Sequence, residues 1–175
     1  MTIRRGMRMH AGDLPGPKRP AKRKVREPGE GSSLTGRTLR IIDANANRAR
    51  EGLRVVEEIM RFLLEEPELT RRLKNARHCV SVIVEACRLG PAVLLSSRAS
   101  GTDLGRTPAF DLAKGRRGFE DTVLANMRRA QESLRVLEEL GRLFDRKAAD
   151  RFKALRFALY ALEQDAFRAL ERRAW

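Results

Sequence analysis

The chain has 175 residues, of which 37 are Lys or Arg and 23 are Asp or Glu; the formal charge is +14, with 42% hydrophobic and 5% aromatic residues. That length suits one domain plus a tail and falls short of the roughly 200 residues a (β/α)8 barrel needs. No apolar run approaches the ~20 residues of a membrane-spanning helix. Cys79 and Cys87, with only His78 nearby, fit neither a disulfide framework nor a zinc site, so a soluble, cytoplasmic protein without a membrane partner is expected.

Residues 1–35 hold Arg4, Arg5, Arg8, Lys18, Arg19, Lys22, Arg23, Lys24 and Arg26 against Asp13, Glu27 and Glu30. They also hold Pro15, Pro17, Pro20 and Pro28 and almost no large apolar side chain. Such a segment buries too little surface to order itself, and it reads as a disordered basic tail. A basic arm attracted to RNA or membrane, or a targeting segment, is the functional alternative; an extension from an upstream start codon, with Met7 and Met9 as nearby alternative starts, or a plain solvated tail is the preferred reading.

The folded part, 36–175, is organised by an internal repeat. ANANRAREGLRVVEEIMRFL (44–63) recurs as ANMRRAQESLRVLEELGRLF (125–144), pairing Asn45 with Asn126, Arg48 with Arg129, Glu51 with Glu132, Arg54 with Arg135, Glu57 with Glu138 and Glu58 with Glu139. RLKNARHCVSVIVEA (72–86) likewise matches RFKALRFALYALEQD (151–165), with Lys74 on Lys153 and Arg77 on Arg156. Apolar residues at three- and four-residue steps, such as Ala49, Leu53, Val56 and Met60, predict helices. In chain order these run over 38–65, 68–89, 119–144 and 147–173, with breaks at Glu66-Pro67, Leu89-Gly90-Pro91 and Asp145-Arg146. Repeat one is thus 38–89, a polar connector covers 90–118, and repeat two is 119–173. A duplicated helical hairpin predicts an all-α, pseudo-two-fold four-helix bundle. A connector that long inside a compact domain is functional or disordered.

On a helical wheel with Asn45 at zero, the apolar arc of the first helix runs from about 260° to about 80°. Asn45 lies at its centre and Arg48 within it, and Asn126 and Arg129 repeat the intrusion. Burying such groups unpaired is costly, so they form a structural network or face a polar cavity at one end of the bundle. The connector, with Arg98, Asp103, Arg106, Arg116 and Arg117, favours the cavity. Along the outer stripe, Asp43, Asn47, Arg50, Arg54, Glu57 and Arg61 follow one face. This is either a solvated, ion-paired surface or, if the two first helices face each other, a cleft. In a cleft, Arg would bind phosphate or carboxylate and Glu would hold magnesium.

Familiar chemistry is missing: there is no GxxxxGK[ST] and no GxGxxG after a strand. His10 lies in the tail and His78 in a hydrophobic helix, so histidine acid/base catalysis is not expected. The inventory of Arg, Asn, Asp and Glu suits anionic substrates and, with a metal, phosphoryl transfer.

RIIDANANRAREGLRVVEE (40–58) and its echo FEDTVLANMRRAQESLRVLEEL (119–140) resemble the small helical hydroxymethylpyrimidine phosphate kinase of bacterial thiamine biosynthesis, a domain also found fused ahead of thiamine phosphate synthase. The resemblance covers 39–165 and includes Arg98, Asp103, Gly105 and Arg117 in the connector. It implies ATP- and magnesium-dependent phosphorylation of hydroxymethylpyrimidine phosphate to the diphosphate. The site residues it carries over are Arg48, Arg129, Asp103 and Arg98 for catalysis. Asp43, Asn45, Asn47, Arg50, Glu51, Arg54, Arg117, Asn126, Glu132 and Arg135 are carried over for substrate, and Glu57 and Glu138 for the metal. The nucleotide must be held without a P-loop. The partners it implies are a pyrimidine phosphate, a nucleotide and a thiamine phosphate synthase, with self-association open. A pyrimidine-phosphate-binding or regulatory partner of a separate synthase is the alternative. A nucleic-acid binder is disfavoured, because one Trp, one Tyr and seven Phe leave no stacking platform and Arg alternates with Glu.

Overall fold

The computed structural model describes residues 35–98, 101 and 118–173. Among them the chain is all-α, with no strand: α1 (Gly36–Glu58), α2 (Pro67–Ala86), the short α3 (Pro91–Ser96), α4 (Phe119–Phe144) and α5 (Arg146–Arg172). Residues 1–34 and 102–117, and with them the tail and most of the connector, lie outside the described residues.

Each helix starts and stops where local chemistry directs. The Thr35 hydroxyl accepts from the Thr38 amide at 3.3 Å, and Asp145 accepts from the Ala148 amide at 3.1 Å, capping α1 and α5. Pro67 and Pro91 open α2 and α3, where a missing N–H costs nothing. The single helix expected over 38–65 is divided: α1 gives way to a π-turn at Ile59–Leu63, closed by Leu64 N donating to Ile59 O at 3.1 Å. Glu65 then adopts φ 53, which the left-handed end of a helix requires. Arg88, at φ 62, ends α2 in the same way, three residues before the expected stop. The connector, expected to be functional or disordered, begins with α3.

Side-chain bonds fix the directions of the helices. Arg50 bonds Ser81 and Arg77 bonds Glu57, so α1 and α2 are antiparallel. Gln131 to Glu163 and Arg156 to Glu138 make α4 and α5 antiparallel, and Arg72 to Asp165 with Arg172 to Glu66 do the same for α2 and α5. It follows that α1 and α4, which pack together, are antiparallel as well.

Their register is set by Gly52. A Cβ there would lie 2.6 Å from the Asn126 carbonyl oxygen, so only glycine permits this approach. Around the seam, Ala46, Ala49, Leu53 and Val56 of α1 and Met60 of the π-turn meet a core that includes Met127, Ala130, Leu134 and Leu137 of α4, all essentially inaccessible. The first helix of each repeat therefore forms the centre, and the second helices complete the bundle. No helix is long and apolar enough to cross a membrane among the described residues.

Candidate functional site

Both repeated asparagines are buried, as their place on the wheel requires. Each turns its amide back on its own helix: Asn45 Nδ2 donates to Ile41 O and Asn126 Nδ2 to Thr122 O, both at 2.8 Å. They do not meet at one end of the bundle. Gly52 lies opposite Asn126, and Asn45 is seven residues further back, about 10 Å along the axis. The antiparallel order that separates them also spreads the expected pocket along the middle of the seam.

Arg48 and Arg129 are exposed rather than set in the core. With Gly52 opposite Asn126, the two arginines lie within about one residue of the same level. Each is rotated in the same sense from the line of contact, which in an antiparallel pair puts both on one side of the seam. Neither enters an ion pair among the described residues. Glu51 and Glu132 are exposed on that side, one turn further round.

The outer stripe faces the second helix of its own hairpin, not the other repeat. At its start a polar chain links Arg98, two residues past the end of α3, to α2 across α1. Arg98 Nε and Nη2 donate to the two oxygens of buried Asp43 at 2.6 and 3.0 Å. Asn47 Nδ2 donates to Asp43 Oδ1 at 3.2 Å, Arg50 donates to Asn47 Oδ1, and Arg50 Nη1 donates to Ser81 Oγ at 3.2 Å. The fork-to-fork contact raises the Arg98 guanidinium further above its ordinary value, through the Asp43 hydrogen bond first and its charge second. Repeat two has Leu124, Arg128 and Gln131 at the corresponding positions, so this network belongs to repeat one only. Asp103 and Arg117 fall outside the described residues.

Glu57 and Glu138 are 2% and 1% exposed. Glu57 accepts from Arg77 at 2.9 Å and lies 3.6 Å from Arg54. Glu138 accepts from Arg135 at 2.9 Å, Arg142 at 2.7 Å and Arg156 at 2.9 Å. Burial would raise the Glu138 carboxyl, but the hydrogen bond and charge of Arg156, with those of Arg135, bring it below the ordinary range. Arg54 also pairs with Glu58 at 2.5 Å, and Arg135 with Glu139 at 2.6 Å. Surrounded by guanidinium groups, Glu57 and Glu138 do not fit magnesium, which needs unclaimed carboxylate oxygens and room for its waters. Nor do the described residues gather three or more metal-ligating side chains.

The partners that sequence reasoning overlooked are Ser81, Arg77 and Arg156. The first carries no signal. The other two do: Arg77 and Arg156 are duplicated in step with Glu57 and Glu138, a repeated opposite charge on the second helix of each hairpin.

The bundle is thus a duplicated helical hairpin with buried Glu–Arg staples and an arginine-bearing seam. The ThiD2 family matches residues 40–165, and the chain belongs to it. It is 43% identical over 132 residues to a protein named thiamine-phosphate synthase from Synechococcus sp. (strain CC9605), covering 75% of this chain and 36% of that one. Proteins of the same name from Rhodopirellula baltica and Thermosynechococcus vestitus are 39% and 38% identical, covering 76% and 73% of this chain and 34% and 35% of theirs. The chain spans about a third of the length of these curated relatives. No solved structure matches it. A place in thiamine biosynthesis follows.

Proposed function

We propose that the chain phosphorylates hydroxymethylpyrimidine phosphate to the diphosphate at the expense of ATP, on the α1–α4 seam. The supporting observation is the pair Arg48 and Arg129, level with each other, exposed, on one side of the seam and in no ion pair among the described residues. Transfer to a phosphate monoester needs no general base, because the acceptor is already largely a dianion at pH 7. The acceptor oxygen bonds to the γ-phosphorus, the bond to the β–γ bridging oxygen breaks, and ADP leaves with the electron pair. The difficulty is bringing two polyanions together, and arginines meet it by binding equatorial oxygens and neutralising charge. An inventory rich in Arg and poor in His therefore suits this acceptor. Magnesium would enter on the phosphates of the nucleotide rather than on Glu57 or Glu138.

Asp43 holds Arg98 at the start of the connector and is a positioning residue in this reading. The test is incubation with magnesium-ATP and the pyrimidine monophosphate, followed by chromatography for the diphosphate. Arg48→Ala and Arg129→Ala are each expected to cost about 100-fold in turnover, the scale of losing one charge-stabilising contact, with helicity and melting unchanged. Full rate in both variants, or no diphosphate from folded protein, defeats the proposal. A second reading is favoured by the names of the relatives and by the third of their length that this chain spans: a pyrimidine-phosphate-binding partner of a separate synthase. It predicts binding of the monophosphate without turnover.

A further inference from the structure

The groove between α4 and α5 holds a cavity that the seam does not use. It measures about 380 Å³ and is lined by Glu138, Arg142, Arg146, Ala149, Asp150 and Lys153. Its shape comes from a close approach of the helices: a Cβ on Gly141 would lie 3.1 Å from the Ala149 Cα, so the floor is backbone and a methyl group, walled by long side chains. The volume falls in the range of small-molecule sites.

The charges are unevenly committed. Glu138 is consumed by Arg135, Arg142 and Arg156, and Arg142 also lies 3.4 Å from Glu139. Arg146 and Lys153 are exposed and enter no ion pair among the described residues, so the rim keeps two free cations against Asp150. Arg146 opens the long helix α5, where the peptide dipoles also favour an anion, and Lys153 stands about two turns further on. Repeat one has Pro67 and Arg71 in place of Arg146 and Asp150, so this charge pattern is particular to repeat two.

We propose that the α4–α5 cavity binds the phosphate group of a phosphorylated small molecule, as a second anion site apart from the α1–α4 seam. This is independent of the kinase reading, and either can fail alone. The probe is inorganic pyrophosphate, titrated calorimetrically into the full chain carrying Arg48→Ala and Arg129→Ala, which silences the seam. Saturable one-to-one binding is expected to persist there, and adding Arg146→Glu and Lys153→Glu should weaken it at least tenfold. Should the glutamates unfold the chain, Arg146→Gln with Lys153→Gln serves, with a smaller loss in the same direction. Absence of saturable binding in the seam variant, or binding indifferent to residues 146 and 153, overturns the proposal. Repeating the titration with inorganic phosphate and with a nucleoside monophosphate separates the sources: equal affinity assigns the site to free phosphate, tighter nucleotide binding to a phosphorylated metabolite.

Discussion

Replacing Glu138 by Gln isolates the buried staple of repeat two. Arg156 has a side chain 12% exposed and donates to Glu138 Oε2 through two nitrogens at 2.9 and 3.2 Å. Removing one member of a buried pair costs about 3–5 kcal/mol; glutamine keeps the shape and one acceptor, which points to about 3 kcal/mol. Unfolding the roughly 120 described residues at ~2.1 cal/mol/K each gives an entropy near ~0.25 kcal/mol/K, hence a melting temperature lower by about 12 °C. Glu139→Gln is the control: that carboxylate is 46% exposed, and its loss should cost less than about 0.5 kcal/mol, or under about 2 °C. Thermal unfolding followed by circular dichroism reads both. The gap between wild type and Glu138→Gln should also depend on pH. A carboxyl whose value is lowered on folding contributes stability above its unfolded pKa, near ~4.3, and loses it as pH falls through the folded value. The gap should therefore be full at pH 7 and narrow below about pH 4. Equal shifts for Glu138→Gln and Glu139→Gln, or a gap that widens in acid, would refute the reasoning.

Two further predictions test the packing. Gly52→Ala gains ~1 kcal/mol of helix propensity but drives a methyl into the Asn126 carbonyl at 2.6 Å, which places the cost at the upper end of the ~1–3 kcal/mol of overpacking, so denaturant unfolding should show net destabilisation of about 1–2 kcal/mol; a variant as stable as wild type would mean the α1–α4 register is wrong. Cys87 has its thiol pushed up to about 11, by burial first and then by Asp145, so iodoacetamide at pH 8 should label it at least ~100-fold more slowly in native than in unfolded protein, and rapid native labelling would contradict the burial.

The helices were legible because duplication doubled every signal. Ala49, Leu53, Val56 and Met60 and their counterparts mark the core in both copies, and Asn45 and Asn126 stood out as polar groups in the arc. Arg48 and Arg129 lie within that arc, about 60° from its centre, where a structural network or a polar cavity is expected, yet their long side chains reach solvent and both are exposed. Glu57 and Glu138 misled in the opposite way. They lie outside the arc of their own helix, yet the neighbouring helix of the hairpin covers that side and brings Arg77 and Arg156 to them. A single-helix wheel has no term for a second helix. The Arg98–Asp43 contact joins residues 55 positions apart, and nothing periodic announces it.

What the repeats keep and what they change bears on the seam. The staples Glu57–Arg77 and Glu138–Arg156 are matched, as are Asn45 with Asn126 and Arg48 with Arg129. The network of Asp43, Asn47 and Arg50 with Arg98 exists in one copy, its places in the other taken by Leu124, Arg128 and Gln131. In the proposed kinase, transfer between two unlike substrates bound along the α1–α4 seam would need such a difference between the repeats to tell donor from acceptor. Asp43→Asn keeps the size of the side chain but removes the charge that anchors Arg98. In the proposed kinase this should raise the KM of one substrate about tenfold and leave the KM of the other and the melting temperature close to wild type. An equal rise for ATP and the pyrimidine phosphate would place Asp43 in general support of the fold, and the diverged network would then have no part in distinguishing the substrates.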